Sequence, residues 1–228
     1  MGIVHRARNY GWSEQYNVQI KDDLRTKLVQ LSLPIIPAKP RILTLPSIMG
    51  SCAYLFRATW PEATIIGLER NKMIGMASEL FWDGTPSTKD APLDRLFISD
   101  VRTFMDGKFI YEPIDASYDR PRKNVRRPTP AVNAADAHLH FDLAFLDYTG
   151  QLTMLCGEAF RFMKQNMTAK SVCGMTFSYP EDMTTSDAVD YLRRMKGGFR
   201  ELLIQPYRNG TDKGEDKGAY MIFAVFTK

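Results

Sequence analysis

From Arg41 onward the chain alternates short β-rich apolar runs with stretches of helical periodicity, and few architectures accept that order. RILTLPS opens the series, followed by a Gly-Ser turn and a helix expected from Ser51 to about Ala58. TIIGLER is the second strand, Lys72 to Trp82 the next helix, and DRLFISDVRTF the third strand. A polar insertion from about Asp106 to Ala137 precedes FDLAFLDY, the fourth. Then come helical LTMLCGEAFRFMKQN, strand KSVCGMTFSY and a helix from about Ser186 to Lys196. ELLIQPYR and AYMIFAVFT flank the turn-rich NGTDKGEDKG, the composition of an exposed hairpin loop. Repeated β-then-α units predict an α/β fold: a mostly parallel sheet of about seven strands, helices on both faces, and a C-terminal antiparallel hairpin.

Residues 1–40 read as an N-terminal extension and Pro-rich linker, with 41–228 as the main domain. Ile20 to Leu31 places Leu24, Leu28 and Leu31 at helical spacing, Asp22 and Asp23 suit its first turn, and PIIPAKP ends it. With 228 residues, 44% apolar and 25% charged, the chain can bury a core without disulfides or metal. The longest mostly apolar stretch, Ile42 to Phe56, is interrupted by Pro46 and Gly50 and is too short to span a bilayer. No secretory signal is visible at the N-terminus, so a cytoplasmic location is expected. Cys52, Cys156 and Cys173 form no CxxC pair and read as reduced core thiols.

Open sheets of this kind hold ligands beyond the C-terminal ends of their strands. Four junctions there carry chemistry. ILTLPSIMGSCAYLF is a strand, a turn and a helix start whose backbone N–H groups face the crevice. The strand in TIIGLERN ends with Glu69, nineteen residues after Gly50, where a carboxylate can accept from two ribose hydroxyls; a solvated pair with Arg70 or Lys72 is the alternative. FISDVRTF sets Ser99 and Asp100 after the third strand. FDLAFLDYTGQ brings Asp147 and Tyr148 out of a very apolar strand, as a site or, for Asp147, as a cap for the helix beginning near Gln151.

These junctions together resemble the class I S-adenosylmethionine-dependent methyltransferases, over roughly Arg41 to Lys228. In the first motif Thr44 stands at the acidic position, Pro46 and Ile48 at the first two glycines, Gly50 at the third and Ala53 at the alanine. The resemblance implies S-adenosylmethionine as cofactor, with Pro46, Ser47, Gly50, Ser51, Glu69, Arg70, Ser99 and Asp100 as its contacts. It further implies Asp147 and Tyr148 as catalytic residues, since methyltransferases acting on exocyclic base amines carry a polar-then-aromatic motif at this position. No metal is needed for the transfer, and His138 and His140 lack a third ligand.

Tyr118 to Pro128 (YDRPRKNVRRP) holds five basic residues, Arg120, Arg122, Lys123, Arg126 and Arg127, and one acidic, matching the +4 of the whole chain. Such an arm suits a phosphate backbone. The expected function is therefore methyl transfer to a nucleic acid, a base amine favoured. The alternative is a noncatalytic methyltransferase-fold protein that binds nucleic acid or a partner. GxGxxG and GxxxxGK[ST] are both absent, which disfavours dinucleotide oxidoreductases and P-loop enzymes.

Overall fold

The computed structural model describes residues 18–46, 51–70, 92–106, 139–211 and 214–228, which divide into two compact units. Residues 38–141 form one unit, and residues up to Pro37 join Asp142–Lys228 in the other.

In the first unit, β1 (Arg41–Thr44), β2 (Thr64–Glu69) and β3 (Arg95–Ile98) run parallel in the order β3-β2-β1. Their near-continuous burial is what a strand covered on both faces requires. Gly67 leaves no room for a side chain: a Cβ there would lie 2.9 Å from Leu93 and Leu96 methyls and 3.0 Å from the Pro46 ring. Helix α1 (Val18–Ser32) belongs to the other unit; α2 (Ser51–Thr59) packs on β2 through Cys52, Ala53 and Phe56. Arg57 secures its end, donating to the Ala63 carbonyl at 2.7 Å and to Asp94 Oδ2 at 2.7 Å, an oxygen that also accepts from Ile65 N.

β3 is shorter than DRLFISDVRTF suggested. Asp100 accepts from Thr103 N at 2.7 Å and caps a short helix, α3 (Val101–Met105), that buries Val101 and Phe104. A good N-cap residue diverts the chain before the apolar run is spent.

In the second unit β4 (Phe141–Gln151, whose first residue lies in the other unit), β5 (Met167–Ser178), β6 (Arg200–Thr211) and β7 (Gly214–Thr227) follow the order β4-β5-β7-β6. β7 is antiparallel to both its neighbours, as expected of a C-terminal hairpin. The hairpin strands continue to Thr211 and restart at Gly214, well inside the segment expected as loop. Helix α4 (Leu152–Asn166) matches its sequence segment end to end, and α5 (Thr185–Met195) starts at a capping box formed by Thr184 and Asp187. Phe160 of α4 meets Phe226 edge-on at 5.1 Å and stacks on Phe199 at 5.9 Å.

α1 is no loose extension. Leu24 and Leu28 are buried, and Gly174 of β5 makes room for Leu28, whose methyls lie 2.8 and 2.9 Å from where a Cβ would sit. Asp22 and Asp23 fall beyond the first turn, because the chain is already helical at Val18; Asp22 instead pairs with Arg25 at 2.8 Å. At the other margin β6 is an edge strand and carries Pro206 in its middle. Only there can a strand spare a backbone donor.

All three cysteines are buried and unbridged. Burial pushes the Cys156 thiol up to about 12 and the Cys173 thiol higher still. Thiolate is the reactive form, so at about pH 8 iodoacetamide is expected to leave both untouched in the native chain and to modify both after unfolding, as read by mass spectrometry. Labelling of the native chain at the unfolded rate would contradict this core. Among the described residues no helix is long and apolar enough to cross a membrane.

Candidate functional site

The cofactor candidates lie in the unit of residues 38–141, at the C-terminal ends of parallel strands. Thr44, the last residue of β1, is fully buried, and its hydroxyl has no hydrogen-bond partner among the described residues. A buried hydroxyl left unmatched costs about 1–3 kcal/mol, so such a group at a ligand-binding strand end is suited to a bound partner. Pro46 is buried against Gly67, its ring taking the space a side chain would need. Ser51 begins α2 half-buried, whereas Ser47 and Gly50 lie outside the described residues.

β2 and β3 bring the next candidates together. Glu69 pairs in register with Ile98, and Ser99 N donates to the Glu69 carbonyl at 3.0 Å. Glu69 is half-buried and Arg70 exposed. The Ser99 hydroxyl is turned inward, donating to the Asp100 carbonyl at 3.0 Å. Asp100 is exposed but serves α3 as its cap, so part of its acceptor capacity is already committed. Among these candidates the Thr44 hydroxyl is the one without a partner among the described residues, whereas the Ser99 hydroxyl and the Asp100 carboxylate are engaged locally.

Asp147 and Tyr148 lie in the second unit, and here the structure corrects the sequence reading. β4 continues to Gln151, so both residues are inside a strand and not beyond its end. Successive strand residues face opposite ways. Asp147 Oδ1 accepts from Thr176 Oγ1 at 2.5 Å on one face, while Tyr148 stacks on Phe177 at 5.6 Å and 15° on the other. Tyr148 is only 8% exposed and its hydroxyl donates to Glu158 at 3.2 Å, so its ring is engaged in the core and not presented to a base. Asp147 is not a helix cap either: Gln151 occupies that position of α4 and makes no side-chain cap bond.

Asp147 instead faces a cavity of about 10 Å³ shared with Lys21 and Arg25 of α1, Phe145, Thr176 and Tyr207. That is space for about one water. The Tyr207 hydroxyl is buried without a partner among the described residues. Burial, reinforced by the Asp147 carboxylate and opposed by Arg25, holds its pKa well above the ordinary range. Sequence reasoning missed this cluster because its members come from four elements and no local motif joins them.

Arg120, Arg122, Lys123, Arg126, Arg127 and His138 lie outside the described residues. His140 is exposed, and its carbonyl accepts from Arg41 at 3.2 Å. Among the described residues no three His, Cys, Asp or Glu side chains gather as a metal site.

No family model matches the sequence, and a search of curated proteins found no match. Solved structures do match. Fibrillarin, a pre-rRNA processing protein of Methanococcus jannaschii, superposes with a TM-score of 0.51 at 9% identity, over 84% of this chain and 68% of that one. A candidate S-adenosylmethionine-dependent methyltransferase from Streptococcus mutans gives 0.51 at 13% identity, over 90% of this chain and 48% of that one. Aeropyrum pernix fibrillarin, with natively bound S-adenosylmethionine, gives 0.50 at 13% identity, over 86% and 73%. The fold is that of the class I S-adenosylmethionine-dependent methyltransferases. At these identities the likeness establishes the methyltransferase fold alone, and this chain spans about half the length of the Streptococcus protein.

Proposed function

We propose that this chain binds S-adenosylmethionine and transfers its methyl group to a nucleic acid. The observation that carries the cofactor is the buried Thr44 hydroxyl at the end of β1, which has no partner among the described residues, within a fold whose neighbours include a fibrillarin with S-adenosylmethionine bound. When bound, that group supplies a methyl on a sulfonium, from which an in-line displacement releases a neutral thioether. The chain's own task is to align and to exclude water. Glu69 would accept from the ribose hydroxyls, and Thr44 would gain its missing partner. Five basic residues between Arg120 and Arg127 support a nucleic-acid acceptor, as does the pre-rRNA processing role of the Methanococcus neighbour. The burial of Tyr148 withdraws the support its ring lent to a base amine as target.

One observation favours a second reading. Pro46 and Ile48 replace the first two glycines of the cofactor motif, as a noncatalytic nucleic-acid-binding descendant would tolerate.

Calorimetry with S-adenosylmethionine and S-adenosylhomocysteine on the folded chain tests the cofactor, and transfer of labelled methyl to mixed RNA and DNA separates the two readings. Thr44→Val keeps the shape and removes the orphan hydroxyl. It is expected to raise Tm by about 2–4 °C while weakening cofactor binding about fivefold. No binding of either ligand at about 1 mM would overturn the cofactor assignment. An unchanged affinity in Thr44→Val would remove Thr44 from it.

A further inference from the structure

Cations gather at one end of the second unit, the rim where β5 and β6 begin and β7 ends. Thr227 pairs with Val172 on one side and with Arg200 on the other, so Lys170, Lys228 and Arg200 stand on three neighbouring strand ends. Lys228 Nζ donates to the Lys164 and Met167 carbonyls at 3.0 and 2.8 Å, which brings the last turn of α4 to the same rim. Arg194 lies in the last turn of α5, and Lys196 Nζ donates to the carbonyl of Phe199, next to Arg200. Lys164, Lys170, Arg194, Arg200 and Lys228 are exposed. Among the described residues the charged groups of Lys164, Lys170, Arg194 and Arg200 form no ion pair. Acids near the rim are already engaged: Glu201 accepts twice from Arg193 at 3.1 Å, and Asp142 accepts from Thr168 at 2.9 Å. Exposed Glu181, Asp182 and Asp187 lie at the opposite end, between β5 and the first turn of α5.

We propose that this rim is a phosphate-backbone surface for a double-stranded nucleic acid. The proposal rests on the nucleic-acid reading above and adds a contact separate from the basic arm. Helix dipoles account for Lys164 and Arg194, since cations suit the last turn of a helix. They do not account for Lys170, Arg200 and Lys228, because strands contribute little net dipole. Neighbouring strands lie about 4.8 Å apart, so three cationic strand ends span roughly 10 Å. Over that distance a duplex, with one charge per about 1.7 Å of its axis, presents about six phosphates. Among the described residues of this unit no aromatic side chain is exposed, so the rim has nothing to stack on unpaired bases. Its lysines and arginines would hold a backbone and leave the sequence unread. The acids at the opposite end repel the same polyanion and favour its approach to the rim.

Fluorescence anisotropy of the full chain with labelled duplexes of about twenty base pairs, one RNA and one DNA, at several salt concentrations tests this. Lys164→Gln, Lys170→Gln and Arg200→Gln combined are expected to weaken binding roughly tenfold at about 50 mM salt and to flatten the salt slope by roughly two to three units. Tm should be unchanged, since all three side chains are exposed and form no ion pair among the described residues. Lys170→Glu alone is the second variant and should cost about threefold. Removing two exposed cations elsewhere, Lys27→Gln with Lys39→Gln, should leave the slope as it is. A deficit with either duplex or with both supports the rim and names the backbone it takes. An unchanged slope in the triple variant, an equal loss in the control pair, or a wild-type chain that binds single strands and no duplex would each overturn it. Polyglutamate that displaces the duplex as well as unlabelled duplex does would also overturn it, in favour of an acidic protein partner. If the arm variant loses slope and the rim variant does not, the nucleic-acid reading stands without the rim; a wild-type chain that binds no nucleic acid overturns both.

Discussion

Truncating Leu28 to alanine is expected to lower the unfolding free energy by about 3–5 kcal/mol and Tm by roughly 10 °C. Leu28 is fully buried, and its two methyls occupy the space that Gly174 leaves vacant on β5. The converse change, Gly174→Ala, adds a methyl against those same atoms and against Phe145, and should cost about 1–3 kcal/mol by overpacking. In the double variant the new methyl enters the cavity left by Leu28, so the combined loss should be smaller than the sum of the two. Chemical denaturation of all four chains measures that coupling. Additivity to within about 0.5 kcal/mol would show that α1 does not seat on β5 through this contact.

The second large effect concerns the basic arm. Replacing Arg122, Lys123, Arg126 and Arg127 together by serine is expected to flatten the salt dependence of nucleic-acid binding by roughly three to four units. At about 50 mM salt the affinity itself should fall by about 10²-fold or more, because each neutralised phosphate no longer releases its condensed counterion. S-adenosylmethionine binding should be unaffected. Titration of a labelled strand at several salt concentrations gives the slope directly. An unchanged slope would detach the arm from nucleic acid and move the acceptor to a protein or a small molecule.

The fold was largely legible because its determinants are periodic. LTMLCGEAFRFMKQN has apolar residues at helical spacing and nothing to stop it before Asn166, and the observed helix has those bounds. TIIGLE is a short β-branched run and forms β2 whole. Boundaries were lost where a local side-chain bond decides them. Asp100 turns the continuous apolar run DRLFISDVRTF into a strand and a capped helix, and no periodicity count registers a single capping oxygen. In the candidate site, residues at strand ends could be located from order alone, as Glu69 and Ser99 show. Which way a side chain faces could not. Asp147 and Tyr148 read as neighbours with one task, yet a strand that runs three residues further than expected sends them to opposite faces, one to Thr176 and the other to Phe177. Arg25 and Tyr207, distant in sequence, meet Asp147 only through tertiary packing.

Pro206 sits at the midpoint of the outermost strand of its sheet. An unprotected margin of twelve residues would be a template on which another chain could lay a strand, extending the sheet indefinitely. With a donor missing at its centre and register shifts on either side, between Glu201 and Leu203 and between Asn209 and Thr211, this margin offers no continuous run of main-chain bonds. Growth of the sheet at this margin is thus opposed by the chain's own covalent structure. Association of copies by strand addition along β6 is therefore disfavoured, and Pro206 acts as a guard against edge-to-edge growth at this margin.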